Sequence, residues 1–383
     1  MIIQNIKARV VYNNRLEESV EVEINEKFRG ISPSGASKGS HEVKCLPAKL
    51  SVRRINTISK KYIGEKLNFE KIDRELKFLK EKIGGNGSIA FSYALFNANF
   101  AIDPNKKYSF PLPLSNVMGG GVHNGNMSIQ EVLVSPSKAK TFKEGFEINR
   151  KIFIELMSFL KKKKLFLGYN DESAIISKLN DISSLNLVSK IADKYDAHIG
   201  LDFASNSYYN PKKRKYLFLG KALNRERYYD EILKLIEDYD IKYVEDPFYE
   251  NDFDMFHEIR EDLKRRCYVV GDDLTTTNPE RLSTAIKEKS ITGIIIKPNQ
   301  IGTVSESIDV KEMAEKNNIL PVISHRSGES DDSTISRVSI YYGFKLAKIG
   351  IAGMRVVKIN EFIRLWEKIY KKKVENPWKK LKK

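Results

Sequence analysis

Cysteine is nearly absent from this 383-residue chain: only Cys45 and Cys267 occur. Two thiols are too few for a disulfide framework or a four-thiolate zinc site, so thiol and structural-zinc chemistry are excluded. Long apolar runs are missing too. No stretch approaches the roughly 18 consecutive apolar residues that a spanning helix needs. The N-terminal MIIQNIKARVV has neither the apolar core nor the small-residue cleavage site of a secretory signal. A soluble, cytoplasmic protein with no membrane partner is expected. No tract is compositionally simple, and 41% of residues are hydrophobic, which excludes collagen, coiled coil and disordered scaffold.

Acidic charge is short: 66 Lys+Arg face 50 Asp+Glu, a formal net charge of +16 at pH 7. The surplus lies in Lys161 to Lys164, Lys212 to Lys215, Lys264 to Arg266 and the tail from Lys371 to Lys383. These runs carry few aromatics able to stack bases, and no nucleic-acid motif accompanies them. They read as solvated helix faces and a tail, which points away from a nucleic-acid partner.

At about 150 residues per domain, the length suggests two domains or one large α/β barrel with an appendage. Ile2 to Val11 and Ser19 to Ile24 alternate like strands, whereas Phe69 to Lys82 and Ser88 to Phe100 have helical spacing. That is an α+β module. The stretch DPNKKYSFPLPLS, from 103 to 115, suits a domain junction. Beyond it, apolar runs alternate with amphipathic segments such as Arg227 to Tyr239, Phe256 to Lys264 and Ile308 to Lys316. The runs are HIGLDFA, IKYVEDP, CYVVGDD, TGIIIKPN and LPVISHR, which predict parallel strands buried on both faces.

Polar residues fall at one place in each run. Asp202, Glu245, Asp272, Lys297 and His325 stand at or near the last apolar residue, before a turn or helix. In a βα barrel the C-terminal ends of the strands open onto one face, so these side chains should converge. Three carboxylates brought together repel unless a cation holds them, and an oxygen-only set favours Mg²⁺ over zinc. The competing account is separate salt bridges to the abundant lysines. Lys297, on the next strand, becomes a base if neighbouring positive charge depresses its pKa from about 10.4 toward 7. A neutral lysine beside Mg²⁺ is a base able to remove a proton next to a carboxylate.

The motifs agree with that pattern. SPSGASKGS (32–40), GGGVHNGNMSIQE (119–131), GLDFA (200–204), VEDPF (244–248), VGDDLTTTNP (270–279), IIIKPNQIGT (294–303) and VISHRSGES (322–330) span most of the chain. On them the chain resembles the enolase family, the phosphopyruvate hydratases. The resemblance implies an α/β fold: an N-terminal α+β lid domain over 1–108 and an enolase-type βα barrel carrying the active site over 109–383. It implies reversible, Mg²⁺-dependent dehydration of 2-phosphoglycerate to phosphoenolpyruvate, and a homodimer or homo-octamer. Asp202, Glu245 and Asp272 would bind the first Mg²⁺, and Ser37 of the mobile loop a second. Lys297 would take the α-proton, and Lys348 would contact the substrate carboxylate while helping to keep Lys297 neutral. Arg326 and Ser327, after His325, match the phosphate-binding pair. His123, Gln130 and Glu131 match the segment near the leaving hydroxyl, although seven positions separate His123 from Gln130, one fewer than is usual.

One family motif is missing. GDEGG, whose glutamate assists departure of the hydroxyl, does not occur, and the region reads KKKKLFLGYNDESAIISKL from 161 to 179. Overlaying its first glycine on Gly168 puts Asn170 at the glutamate position. A shift of two residues brings in Glu172, with Asp171 beside it. Near the N-terminus, NNRLEESVE keeps Arg15 but lacks the family's Gly and Pro, and the segment after Lys348 is shorter, with Arg355, Lys358 and Asn360 still alignable. These departures describe a divergent member or paralogue. Two alternatives stay open: a lyase or epimerase for another phosphorylated 2-hydroxy acid, and a non-catalytic binding or regulatory paralogue.

Overall fold

The computed structural model describes residues 1–36, 39–121, 126–369 and 374–382. Its N-terminal part is an antiparallel sheet of β1 (Ile6–Tyr12), β2 (Glu18–Ile24) and β3 (Phe28–Ile31). Alternation in ESVEVEI buries Val20, Val22 and Ile24. Against this sheet lie α1 (Ala48–Ile58) and α3 (Lys80–Asn99), and α2 (Phe69–Leu76) packs on α3. α3 touches sheet, helices and barrel alike, so nearly all of it past Ile83 is apolar or small and buried. The helix expected over 69–82 is two: α2 ends at Leu76, which is buried, and α3 starts at Lys80. The sequence reading also missed α1 and the short β3.

The remaining strands are β4 (Leu112–Gly119), β5 (Glu131–Pro136), β6 (Phe166–Tyr169), β7 (Ile175–Ser177), β8 (Ala197–Asp202), β9 (Tyr209–Asn210), β10 (Lys215–Phe218), β11 (Lys221–Leu223), β12 (Tyr243–Glu245), β13 (Tyr268–Gly271), β14 (Gly293–Ile296), β15 (Leu320–Ser324) and β16 (Leu346–Lys348). β4, β5, β8 and β12 to β16 form an eight-stranded barrel, closed where β16 pairs with β4. The β6–β7 hairpin extends from β4 beside the mouth, and β9 to β11 make a small separate sheet.

Helices α4 (Phe142–Lys162), α5 (Asp181–Lys194), α6 (Arg225–Asp238), α7 (Phe253–Leu263), α8 (Pro279–Lys287), α9 (Pro298–Ile301), α10 (Val304–Lys316), α11 (Thr334–Tyr341) and α12 (Val356–Lys368) follow in chain order. Several start where a short polar side chain accepts a first-turn N–H: Thr141 for α4, Asn180 for α5, Asn224 for α6, Asn278 for α8 and Thr303 for α10.

One strand departs from a simple βα alternation. β5 runs antiparallel to both neighbours, β4 and β8. Its first residue, Glu131, is therefore the one at the mouth, in register with Asp202 at the end of β8. At the opposite end, Trp378 is buried among the barrel's lower side chains, including Leu112, Leu133 and Tyr268. Its indole N–H donates to Ser135 Oγ at 3.2 Å, and the Tyr268 hydroxyl donates to the Pro377 carbonyl at 2.8 Å. Among the described residues no helix is long and apolar enough to cross a membrane.

Candidate active site

The strand ends deliver the expected side chains to one cavity, except Glu245, which is fully buried and does not line it. Asp202 and Glu245 are the last residues of β8 and β12, in register with one another. Asp272, Lys297 and His325 follow β13, β14 and β15 by one residue, and Lys348 ends β16. Asp202, Asp272, Lys297, His325 and Lys348 line the cavity with Gln130, Glu131, Glu172, Arg326 and Ser327. Ser37 and His123 lie outside the described residues.

Lysines pair with the carboxylates, in buried contacts and not as separate surface bridges. The Lys348 ammonium sits among Asp202 (2.7 Å), Glu245 (2.8 Å) and Glu131 (3.0 Å), all of them buried. These three carboxylates hold it well above its ordinary pKa, against the burial that pulls it down. Lys297 pairs with Asp272, and Gln300 Nε2 donates to the other Asp272 oxygen at 3.1 Å. The Tyr243 hydroxyl donates to Glu245 at 2.6 Å. Five carboxylates, those of Glu131, Glu172, Asp202, Glu245 and Asp272, thus share this region with two ammonium groups.

That excess shows in the titration of the acids. Burial, and after it the charge of Asp202, pushes the Glu245 carboxyl up to about 8. Glu131 is raised well above the carboxylate range by burial and by Glu172, Asp202 and Glu245, against the pull of Lys348. Burial also acts on Asp272, but Lys297 and Lys348 outweigh it and its pKa is lowered. For Lys297 the expected depression is not found. Burial, Arg326 and Lys348 do lower it, yet its pairing with Asp272, helped by Glu245, leaves its pKa raised. A cation that took up the Asp272 charge would remove the largest influence that raises Lys297.

The donor set fits such a cation. Asp202, Glu245 and Asp272 offer buried oxygens from three adjacent strands, the set a hard divalent ion prefers. With Asp202 and Glu245 paired to Lys348 and Asp272 to Lys297, the three are not gathered as closely as a bound ion would gather them; among the described residues the carboxylate oxygens that lie within 4.8 Å of one another are those of Asp246, Asp272 and Asp273. Asp246 is otherwise engaged: its oxygens accept the N–H groups of Asp272 (3.0 Å) and Asp273 (2.6 Å), fastening the β13 loop. The set from the strand ends is therefore the better ligand candidate.

Glu172 answers the question left by the missing GDEGG motif. Asn170 is buried, and its Oδ1 accepts the N–H groups of Glu172 (3.0 Å) and Ala174 (2.9 Å). This is a side-chain turn that replaces glycine flexibility with hydrogen bonds. Asn170 fits because residue 119 is glycine, where a Cβ would approach Asn170 Nδ2 to 2.3 Å. Asp171 points to Arg15 (3.4 Å), while Glu172 faces the cavity with its carboxylate 3.8 Å from His325 Nε2. Of the two overlays, the shifted one is the one that places a carboxyl in the cavity.

The loop before α1 closes the remaining side. Ser34 and Gly328 exchange backbone hydrogen bonds at 2.9 and 2.8 Å, an approach open only to glycine at 328, where a Cβ would meet Ser34 Oγ at 2.1 Å. Ser327 Oγ accepts the Ala36 N–H at 2.6 Å. Arg326 forks onto Glu42 through contacts of 3.1 and 2.9 Å. Its backbone N–H is held by Glu329, which in turn pairs with Lys358 at 2.6 Å. The sequence reading had not singled out Glu42, Tyr243, Asp246 or Gln300, although the last two lie in quoted motifs.

Comparison with known proteins now decides the family. Residues 107–382 match the family described as "Enolase, C-terminal TIM barrel domain". The chain is 33% identical to the enolase of Archaeoglobus fulgidus over 393 residues, covering 96% of this chain and 98% of that one. It is 32% identical to the enolase of Methanothermobacter thermautotrophicus, covering 96% and 97%, and 33% identical to that of Pyrobaculum aerophilum, covering 95% and 96%.

The chain belongs to the enolase family.

Within the enolase fold, the barrel mouth holds the amine of Lys297, the carboxyl of Glu172, those of Asp202 and Asp272, and the guanidinium of Arg326 in one cavity. Lys297 and Glu172 stand apart on the ring. Lys297 follows β14, and Glu172 sits on the hairpin attached to β4, which is reached from β14 through β15 and β16.

Proposed function

We propose that this chain catalyses the reversible dehydration of 2-phosphoglycerate to phosphoenolpyruvate with Mg²⁺, a hydro-lyase step of glycolysis and gluconeogenesis. The observation that carries the reading is the joint presence of Lys297 and Glu172 in one cavity. Lys297, in its neutral form, takes the proton from the α-carbon, and the electron pair of that C–H bond moves into the substrate carboxylate. That pair then returns to form the Cα–Cβ double bond as the β C–O bond breaks, and Glu172 gives its proton to the departing hydroxide, which leaves as water. Asp202, Glu245 and Asp272 are the residues suited to hold Mg²⁺, with Ser37 proposed for a second ion, and the bound cation would supply the charge that neutralises the substrate carboxylate.

The other residues position and bind. Lys348 reaches the same carboxylate region and keeps Asp202 and Glu245 together. Arg326 and Ser327 suit a phosphate, because a planar guanidinium donates two parallel bonds to phosphate oxygens. Glu42 must yield that fork when phosphate arrives. Gln130, Glu131 and His325, which line the same cavity as Glu172, are assigned to the hydroxyl end, and His123, outside the described residues, is assigned there by the family motif alone. A different phosphorylated 2-hydroxy acid as substrate was favoured by the unmatched acid, and with Glu172 facing the cavity that reading loses its motive. A cytoplasmic homodimer or homo-octamer is the matching proposal for assembly, tested by light scattering.

Formation of phosphoenolpyruvate, followed by its ultraviolet absorbance, tests the reading. Activity with saturating Mg²⁺ that disappears in Lys297→Ala supports it. No product from the purified wild type under those conditions would overturn it.

A further inference from the structure

Arg355 is fully buried and lies behind the cavity rather than in it. Every donor assigned to it has a partner that belongs to the site. Nε donates to His325 Nδ1 at 3.2 Å, one terminal nitrogen to the Asp171 carbonyl at 3.0 Å, and the other to the carbonyls of Arg326 (3.1 Å) and Ser327 (2.9 Å). One planar group therefore ties together the turn carrying Glu172, the imidazole of His325 and the phosphate-side pair.

The contact with His325 dictates a proton position. A guanidinium has only donors and keeps its charge at all ordinary pH. The imidazole nitrogen that faces it must therefore offer a lone pair. A proton on Nδ1 would set N–H against N–H. We propose that Arg355 is a positioning residue that fixes His325 with its single proton on Nε2, aimed at Glu172.

The groups facing the imidazole agree with this assignment. Burial lowers the His325 pKa well below its ordinary value; Glu172 opposes that shift, while Arg355, Lys348 and Lys358 add to it. The imidazole thus remains neutral while its Nε2–H lies 3.8 Å from the Glu172 carboxylate, a distance that a small movement or one water closes. As Glu172 gives up its proton, this N–H meets the negative charge that develops, so the donor is worth more after transfer than before. That role in turnover rests on the dehydration reading above; the tautomer does not.

Long-range ¹H–¹⁵N correlation of the ¹⁵N-histidine-labelled chain tests the assignment, with the His325 signals identified by their loss in His325→Asn. The wild type should show a bare Nδ1 and a protonated Nε2 from pH 5.5 to 8. A proton on Nδ1, or titration of the ring within that range, would overturn the proposal whatever the activity. In Arg355→Lys, which keeps a cation but loses the fork, the lock should loosen to a tautomer mixture or a titrating ring. In the same variant kcat should fall roughly tenfold to a hundredfold with little change in KM. An unchanged spectrum in a folded Arg355→Lys would also overturn it. Should that variant fail to fold, the wild-type spectra decide alone. A wild type with the expected tautomer but no dehydratase activity would sink the functional reading and leave the tautomer standing.

Discussion

Replacing Lys348 with methionine removes the ammonium that sits within 3.0 Å of three buried carboxylates. Methionine keeps the length of the side chain, so the change is mainly one of charge. Breaking a buried ion pair by deleting one partner costs about 3 to 5 kcal/mol. Protonation limits the loss here. Glu245, at about 8, already keeps its proton most of the time at pH 7, and Glu131 is raised as well. The cost at pH 7 should therefore be about 3 kcal/mol, the lower end of that range.

The dependence on pH has a definite sign. The folded pKa of Glu245 lies above its ordinary value of 4.5, so the folded chain keeps a proton that the unfolded chain releases. This contribution is fully present below about 4.5 and is lost as pH rises toward 8, by up to about 1.4 kcal/mol per unit. Lys348 pulls Glu245 down, so its removal extends the loss to higher pH. Urea unfolding in EDTA should then show a gap between variant and wild type that widens from pH 7 to pH 9. A gap below about 0.5 kcal/mol at both values, the scatter of an ordinary surface substitution, would refute the reasoning. So would a gap that narrows as pH rises.

Further expectations concern the parts that support the site. Asn170→Ala leaves the Glu172 and Ala174 N–H groups without their acceptor and should cost about 1 to 3 kcal/mol, lowering kcat more than it changes KM; unaltered kcat would contradict the turn's role in aiming Glu172. Trp378→Ala empties the lower end of the barrel and should lower stability in urea by about 3 to 5 kcal/mol, while steady-state KM stays within twofold, because Trp378 lies at the end away from the mouth. Glu42→Gln removes the charge facing Arg326 and should tighten inorganic phosphate by calorimetry; weaker binding would show that Glu42 assists the anion instead of yielding to it.

The site was more legible in the sequence than the path of the chain was. Asp202, Glu245, Asp272, Lys297 and His325 were visible because each breaks an apolar run where a strand stops. Glu131 could be assigned only through the family motif, since β5 reads the same in either direction and nothing local says that it runs antiparallel. Glu172 was obscured because the GDEGG motif is missing, and that Asn170 shapes the turn before Glu172 through its side chain shows only in the fold. Arg355 and Glu42 act on residues distant in sequence, so they gave no local signal, and Tyr243, two residues from the Glu245 it contacts, reads as one more apolar residue of its strand. In the N-terminal part, α1 was missed and α2 merged with α3 because apolar spacing alone does not mark where a helix stops.

The central claim is that Lys297 and Glu172 divide the reaction between proton removal and hydroxyl departure. Incubating Glu172→Gln with 2-phosphoglycerate and Mg²⁺ in deuterated water separates the two. The variant should lose elimination by about 10²- to 10⁴-fold while still placing deuterium on the α-carbon, and Lys297→Ala should do neither. Elimination at the wild-type rate in Glu172→Gln, or deuterium uptake that persists in Lys297→Ala, would contradict the account.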